Sequence, residues 1–160
     1  MTKRLTHELT YDAEMAEVAE MLADPSFREE VCEFQRVKRA MVSIDSDDNG
    51  MEVTIDQIQA AKGIPSFAKK FVGDEINIVQ QEYWKSPDAG DIKVTIPGKP
   101  GEMSGTARLS ETGGVTTEKV EMTVKVNIPL VGGRIEGLIA DLLLKALKAE
   151  NVVGRDYLSR

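Results

Sequence analysis

The C-terminal segment Leu130–Arg160 carries the strongest pattern in the sequence. Its apolar residues recur at spacings of three and four, which is typical of one face of a helix, and they cover roughly half of the circumference. The pattern predicts a helix over Gly133–Leu158, roughly 40 Å long, with Leu142 near the centre of its apolar face. The face consists of Ile135, Leu138, Ile139, Leu142, Leu143, Ala146, Leu147, Val153 and Tyr157. An apolar face this broad needs a cover that curves around it.

The N-terminal region predicts one strand followed by two short helices. Apolar and polar residues alternate over positions 4–11, which indicates a strand with one buried face. Asp12 is predicted to cap a first short helix. Asp24 is predicted to cap a second helix that has Pro25 at its first position and ends at Val31.

Six further segments alternate with a period of two. The predicted strands are Arg36–Ile44, Met51–Ala60, Glu75–Lys85, Asp91–Ile96, Met103–Ser110 and Val115–Ile128. The short turns between them imply antiparallel neighbours, because parallel strands need long crossovers. Ser66–Val72 is too short for more than two helical turns, and we interpret it as a lid-like loop. The sequence predicts a single α+β domain over residues 1–160, in which an antiparallel sheet of about six to seven strands covers the C-terminal helix.

The first hairpin has a strongly acidic turn. Asp45–Gly50, with Asp56 at the twelfth position, approaches the pattern of an EF-hand calcium loop. The closing residue is Asp instead of Glu, and the flanking segments are predicted strands instead of helices. We therefore interpret the segment as a hairpin turn. Because the chain has one histidine and one cysteine, a structural zinc site is not expected either, and no cofactor is predicted.

The net charge of −7 argues against nucleic acid or an anionic membrane as a partner, because neither would find a cationic patch. Cys32 is the only cysteine, which indicates a reducing compartment. Residues 1–10 contain no apolar core of a signal peptide, and no apolar run is long enough to cross a bilayer. We expect a cytoplasmic protein without stable membrane insertion.

Four short motifs carry a resemblance to a known group of proteins: Thr6–Leu9, Leu22–Pro25, Pro97–Gly101 and Pro129–Gly133. With them the whole chain resembles the START-like (SRPBCC) superfamily and, more narrowly, the bacterial domain-of-unknown-function family 2505. The resemblance implies a helix-grip fold, in which a curved antiparallel sheet wraps around a long C-terminal helix. Members of the superfamily carry lipids, steroids, polyketides or plant hormones between sheet and helix, and some are cyclases or aromatases. No catalytic residue is carried over.

The resemblance implies a ligand cavity between the sheet and the C-terminal helix. Gln80 and Glu82 share a strand face with Ile76, Ile78 and Trp84. If this face is inward, both are polar groups in an apolar cavity, and burial would raise the pKa of Glu82 so that it could act as an acid. If the strand extends past the sheet, both lie in water. The predicted ligand-binding residues are Val53, Ile55, Gln80, Glu82, Val94, Ile96, Met103, Val124, Val126, Leu138 and Leu142.

Three functions follow from these observations. The first is a non-catalytic binding protein for an apolar or amphipathic small molecule, such as a lipid or polyketide. The second is a cyclase-like or dehydratase-like enzyme with His7 and Glu82 as acid and base, although His7 could equally be a hydrogen-bonded core residue. The third is an interaction module with a filled core, which would bind a partner through its outer sheet face or the Gly63–Gly73 loop.

Overall fold

The computed structural model describes residues 2–160, which form seven strands and four helices. In chain order, the elements are β1 (Lys3–Tyr11), α1 (Met15–Leu22), α2 (Pro25–Phe34), β2 (Arg39–Asp47), β3 (Gly50–Ala60), α3 (Ser66–Val72), β4 (Glu75–Ser86), β5 (Ala89–Thr95), β6 (Glu102–Thr112), β7 (Val115–Lys125) and α4 (Gly132–Leu158). The predicted α+β class, the two short helices after the first strand and the long C-terminal helix are confirmed.

All seven strands belong to one curved antiparallel sheet in the order β1-β7-β6-β5-β4-β3-β2. Each strand from β2 to β7 pairs with the next one along the chain, with α3 inserted between β3 and β4, and β1 pairs with β7 along its whole length. The long helix α4 packs mainly against β1 and, less extensively, against β7. The sheet therefore grips α4 at one side, and the remaining inner surface faces α1, α2 and α3.

The alternation along each strand determines which side chains face the helices. On β7, the predicted inward residues Val120, Met122 and Val124 are buried, as is Val126 immediately after the strand. The same alternation places Leu9 of β1 in the core. The other buried side chains on the inner face of the sheet include Tyr11, Val53, Ile55, Ile92, Val94, Met103, Ala107 and Leu109. Period two is thus a reliable guide to the sheet core in this chain.

The predicted start of α2 is confirmed. The side chain of Asp24 accepts a hydrogen bond from the backbone N–H of Ser26 at 2.9 Å, and Pro25 occupies the first helical position. The helix continues past the predicted end at Val31 to Phe34. Capping chemistry is local, which explains why the sequence predicted this helix start correctly.

The predicted cap of α1 by Asp12 is wrong. The helix begins at Met15, and its N-cap residue Glu14 makes no side-chain capping bond. The backbone N–H of Met15 instead donates to Oε1 of Glu111, on β6, at 2.7 Å. A strand residue that is distant in the sequence thus supplies an acceptor for the free N–H group at this helix end.

The acidic segment between β2 and β3 forms a hairpin, as predicted. Asp47 pairs with Gly50 in the ladder, and the side chain of Asp47 accepts from the backbone N–H of Asn49 at 2.7 Å. Within residues 2–160, no group of three or more histidine, cysteine or acidic side chains is arranged to hold a metal ion. Further along the chain, Ser66–Val72 forms the two-turn helix α3 where a loop was considered.

The predicted position of Leu142 at the centre of the buried face of α4 is wrong, because this side chain is 42% exposed. At about 100° per residue, Glu136, Leu143 and Glu150 lie within about 40° of one another, roughly 100° away from Leu142. Glu136 is 2% exposed, and its carboxylate accepts from the backbone N–H of Val126 at 2.8 Å. Polar residues thus occupy the centre of the inward face.

Neither α4 nor any other helix in residues 2–160 combines the length and apolarity that a membrane span needs.

Candidate functional site

A buried ion pair joins α2 to the inner face of β4. Arg28 donates from Nη1 and Nη2 to the two carboxylate oxygens of Glu82, at 2.8 and 2.9 Å, and from Nε to the carbonyl oxygen of Leu22 at 3.0 Å. Glu82 also accepts from Nε1 of Trp84 at 2.8 Å and from Nε2 of Gln80 at 2.6 Å. Both charged residues are almost fully buried, so these bonds replace the water that the charges lose on folding.

The structure confirms that the Glu82 face is inward, but the expected rise in the pKa of Glu82 is wrong. Burial alone would raise the pKa of this carboxyl group, but the charge and hydrogen bonds of Arg28 outweigh it and lower the pKa. Burial disfavours the charged form of Arg28 as well, but the attraction of Glu82 prevails and raises the pKa of the guanidinium. Glu82 therefore remains a carboxylate and has no proton to donate.

Two further carboxyl groups lie near this pair. Glu150, on α4, has an oxygen 3.7 Å from Nη1 of Arg28, and its side chain is 14% exposed. Glu118, on the inner face of β7, is 3% exposed, and its Oε1 has no hydrogen-bond partner within residues 2–160. Burial raises the pKa of Glu150 to about 7, with Arg28 opposing the effect. Burial and the charges of Glu150 and Glu82 raise the pKa of Glu118 well above its usual range.

Tyr11 of β1 completes this group. Its side chain is 1% exposed, and its hydroxyl makes no hydrogen bond of good geometry to any described residue, although the side chain of Asn151 interacts with it. Burial and then the charges of Glu150 and Glu118 raise the pKa of the phenol, and the interaction with Asn151 lowers it. Gly154 of α4 makes room for the ring, because a Cβ at this position would lie 2.6 Å from Cε1 of Tyr11. We refer to Arg28, Glu82, Glu118, Glu150 and Tyr11 as the central polar cluster.

Apolar side chains near α3 stay half-buried although they belong to the inner side of the fold. Because α4 packs mainly against β1 and β7, the inner face of β4 and β5 near α3 is less fully covered. The guanidinium of Arg134, at the start of α4, lies 4.0 Å from the ring centroid of Phe67 on α3. The half-buried residues, which we call the α3–α4 apolar set, are Phe67, Phe71, Ile78, Ile96, Ile139, Leu143 and Leu147.

The predicted ligand-binding residues differ in their burial. Gln80, Ile96 and Leu138 are half-buried, whereas Leu142 is exposed. The remaining residues are buried in the core: Val53, Ile55, Glu82, Val94, Met103, Val124 and Val126. Gln80 therefore lies at the boundary between the core and the α3–α4 apolar set, and Ile96 belongs to that set. Ligand binding by these residues stays a prediction.

Two cavities lie outside the predicted site. One of about 440 Å³ lies between α1, the β2–β3 turn and the β4–β5 turn, with Leu22, Met51 and Trp84 among its apolar walls. The other, of about 550 Å³, lies beside Tyr11 and Arg155 at the end of α4. In the described part of the chain, neither cavity is lined by a residue that the sequence predicted to bind ligand.

The structure does not bring His7 and Glu82 together. His7 is half-buried on β1, where it pairs with Val120 of β7. Strands β7, β6 and β5 separate β1 from β4, a distance of roughly 19 Å along the sheet at about 4.8 Å per strand. These two residues are therefore not placed as an acid–base pair acting on one small group.

The grip of the antiparallel sheet on α4 defines a helix-grip fold. The chain belongs to the family described as "Protein of unknown function (DUF2505)", whose model matches residues 6–158. The narrower resemblance seen in the sequence is therefore confirmed.

Relatives and solved structures agree with this assignment. Uncharacterized proteins of Mycobacterium tuberculosis and Mycobacterium bovis are 28% identical over 111 residues, which cover 65% of this chain and 63% of each relative. The crystal structure of TTHA0849 from Thermus thermophilus has a TM-score of 0.68 at 14% identity and covers 96% of this chain and 95% of that one. The norcoclaurine synthase of Thalictrum flavum, in complex with dopamine and hydroxybenzaldehyde, has a TM-score of 0.64 at 14% identity and covers 100% and 88%. At such identities the structures show a shared fold.

The sequence analysis identified only Glu82 of the central polar cluster as a candidate site residue. It did not identify the other four members, which are Tyr11, Arg28, Glu118 and Glu150. A signal existed for Glu118, which has the same parity as the inward residues of β7, and for Glu150, which follows Leu147 by three positions on the buried face of α4. No such signal existed for Arg28, because one arginine among the polar residues of α2 is typical of a solvated helix face. Tyr11 was predicted to be inward, but its unbonded hydroxyl depends on the packing around it.

Proposed function

We propose that this protein binds an apolar or amphipathic small molecule between the sheet and α4, without catalysing a reaction. The observation that carries the proposal is the α3–α4 apolar set, which combines inward position with incomplete burial beside a polar cluster. Small-molecule sites are typically apolar with a few convergent polar groups. The apolar body of the ligand would contact this set, and its polar end would reach the central polar cluster.

The apolar part of the site has three walls. Ile78 of β4 and Ile96, which follows β5, form the sheet wall, and Leu143 and Leu147 belong to the inward face of α4. Covering such side chains with an apolar molecule contributes about 25 cal/mol for each Å² removed from water. Half-buried apolar side chains in these positions therefore favour a ligand that completes the core.

Helix α3 supplies the third wall and a cover for the entrance. Phe67 and Phe71 pack against the core, and Arg134 holds the ring of Phe67 through a cation–π contact. Gly63 precedes the helix and Gly73 follows it, with φ of 74° and 78°. Glycine adopts this conformation without strain, so the chain turns sharply on both sides of α3.

The fold of the neighbours supports binding but does not identify a ligand. The solved norcoclaurine synthase holds two small molecules, and another neighbour is the ZhuI aromatase/cyclase of a Streptomyces species, with a TM-score of 0.59 at 14% identity, covering 98% of this chain and 90% of that one. Function belongs to the site and not to the fold. The proposal of binding without catalysis rests on Glu82, which is held as a carboxylate by Arg28.

The proposal places the protein in the cytoplasm and gives nucleic acid no role as a partner. The net charge of −7 disfavours a phosphate backbone. Cys32 is a free and buried thiol, which is typical of reducing compartments.

Calorimetric titration with 1-octanol tests the proposal, because this molecule has an eight-carbon apolar body and an uncharged head. We expect saturable binding by the wild-type protein. Leu143→Trp enlarges one side chain of the α3–α4 apolar set and would occupy part of the proposed site. It is expected to weaken binding by about tenfold or more. Val152→Trp is the matched control on the same helix, because Val152 is 54% exposed.

Two outcomes would contradict the proposal. The first is the absence of saturable octanol binding by the wild-type protein. The second is equal binding by the Leu143→Trp and Val152→Trp variants, which would place the bound molecule elsewhere. If only Leu143→Trp weakens octanol binding, native mass spectrometry of the protein purified from its source would identify the molecule that occupies the site.

A further inference from the structure

We propose that Glu118, Glu150 and Tyr11 bind the ammonium group of an apolar amine, which names the ligand class of the site. This inference rests on the proposed function, because it assumes that the apolar body of the ligand contacts the α3–α4 apolar set. It concerns the polar end of that ligand, where the structure contains buried polar atoms without a hydrogen-bond partner among the described residues.

The central polar cluster contains one permanent cation and three carboxyl groups. Arg28 donates to both oxygens of Glu82 and to the carbonyl oxygen of Leu22, so its guanidinium neutralises Glu82. Its distance of 3.7 Å to Glu150 exceeds a hydrogen bond. Among the described residues of this cluster, one guanidinium therefore faces three carboxyl groups. Ionising Glu118 and Glu150 inside the fold is costly without a counter-charge, and burial raises the pKa of both groups for this reason. A second cation would stabilise their ionised forms.

Two atoms of the cluster also lack hydrogen bonds. These are Oε1 of Glu118 and the hydroxyl oxygen of Tyr11, and neither has a partner within residues 2–160. The two residues are 3% and 1% exposed. Buried polar atoms without partners are rare in native proteins, because each one loses its hydrogen bonds to water and gains none in return. An ammonium group carries three N–H donors, enough for Glu118, Glu150 and the oxygen of Tyr11 together.

The same arrangement disfavours acidic ligands. A carboxylate or phosphate head would add a negative charge beside three acidic side chains, and Arg28 is already committed to Glu82. A neutral alcohol can donate one hydrogen bond but brings no compensating charge. Because charge pairs are stronger in a low-dielectric interior than in water, the site favours an amine over a fatty acid or a phospholipid.

The cluster is connected to the apolar site. Glu150 keeps 14% of its side-chain exposure and follows Leu147 by three residues on α4, so these two side chains are neighbours on the helix surface. Gln80 is half-buried and donates to Glu82 from the inner face of β4. An alkyl or aryl amine with its apolar part against Leu147 thus directs its ammonium group toward Glu150 and Glu118.

Titration calorimetry with three ligands of equal chain length tests the inference: 1-octylamine, 1-octanol and octanoate. At about pH 8 the amine is protonated and the acid is ionised. We expect octylamine to bind at least about tenfold more tightly than octanol, and octanoate to bind most weakly. Glu118→Gln and Glu150→Gln keep the side-chain shape and remove one charge each, and each should reduce the preference for the amine to about threefold or less.

Glu121→Gln is the matched control, because Glu121 is exposed on the outer face of the same strand as Glu118, and it should keep the full preference. Equal binding of octylamine and octanol by the wild-type protein would overturn the ammonium site and leave the proposed function intact. Failure of all three ligands to bind would overturn both. If Glu118→Gln and Glu150→Gln both keep the full preference for octylamine over octanol, the inference is also overturned. If Glu118→Gln does not fold, the result for Glu150→Gln decides alone.

Discussion

The two ends of α4 are packed very differently. Near its C-terminus, α4 contacts α1 and α2, and we call Val18, Met21, Leu22 and Phe27 the packed end, because each is at most 1% exposed. Phe27 meets Tyr157 edge to face at 5.6 Å, and the Tyr157 hydroxyl donates to Asp24. Near its N-terminus, Ile135, Glu136 and Ala140 are buried, but α4 also contributes to the α3–α4 apolar set, whose members are half-buried.

This difference separates stability from binding within one helix. A well-packed core gains dispersion contacts that a partly exposed surface does not make. The packed end therefore holds α4 in place, while the α3–α4 apolar set leaves the apolar surface that the proposed ligand would cover. The central polar cluster lies between them and joins α2, β4, β7, β1 and α4. The predictions below test this division, from the largest expected effect to the smallest.

Arg28→Ala is expected to have the largest effect on stability. It leaves Glu82 buried without its counter-charge, and breaking a buried pair in this way costs about 3–5 kcal/mol. Urea denaturation at about pH 7 measures the change in the free energy of unfolding. Glu29 of the same helix is exposed, so Glu29→Ala serves as the surface control. A loss below about 1 kcal/mol for Arg28→Ala would mean that the ion pair does not hold α2 on the sheet.

Leu22→Ala and Leu143→Ala compare the two ends directly. Leu22 is 1% exposed, whereas Leu143 is half-buried. Truncating a fully buried leucine costs about 2–5 kcal/mol, and we expect about 1 kcal/mol for the half-buried one, in proportion to the apolar area it loses. Urea midpoints of the two variants provide the measurement. Equal losses would show that both ends are packed alike, and a saturating apolar ligand should enlarge only the effect of Leu143→Ala.

The pH dependence of stability is expected to report on Glu150. Its pKa is about 7 in the folded state against 4.5 in the unfolded chain, so the folded state keeps a proton that the unfolded state has released. This stabilisation is complete below about pH 4.5 and is lost as the pH rises through about 7, amounting to at most about 3 kcal/mol. The charged groups around Glu150 are Arg28, Glu82 and Glu118.

Glu150→Gln is expected to flatten this part of the stability profile, because glutamine has no proton to lose. Thermal unfolding between about pH 5 and pH 8 would show wild-type stability falling relative to the variant. Below about pH 4.5 the lowered pKa of Glu82 acts in the opposite sense in both proteins, because its carboxylate stabilises the fold only while ionised. Parallel profiles for the two proteins would show that Glu150 is ionised across this range.

Leu142→Ala is expected to have the smallest effect. Because Leu142 is 42% exposed, we expect a loss below about 1 kcal/mol, within the usual range for surface substitutions. The urea midpoint of this variant should stay close to that of the wild-type protein. A loss of the size expected for Leu22→Ala would return Leu142 to the buried face of α4, where the apolar pattern first placed it.

Local patterns in the sequence predicted most of the fold and little of the site. The alternation along β7 and the turn before Gly50 were read correctly, because the period of a strand and the chemistry of a turn are local properties. Asp24 was read correctly as a cap for the same reason. Asp12 was not, because Glu111 on a distant strand supplies the acceptor at the start of α1.

The sequence by itself determined the elements, their order and the inward parity of the strands. Only the tertiary structure decided that Arg28 meets Glu82, which is 54 positions away, and that Glu118 and Glu150 approach the same pair. It also decided which side of α4 faces the sheet, because the side chain of Glu136 is buried there although the predicted apolar face did not include it. The reason is physical: periodicity reports how one element presents its faces, whereas ion pairs, unmatched buried atoms and pKa values depend on the side chains that other elements bring to them.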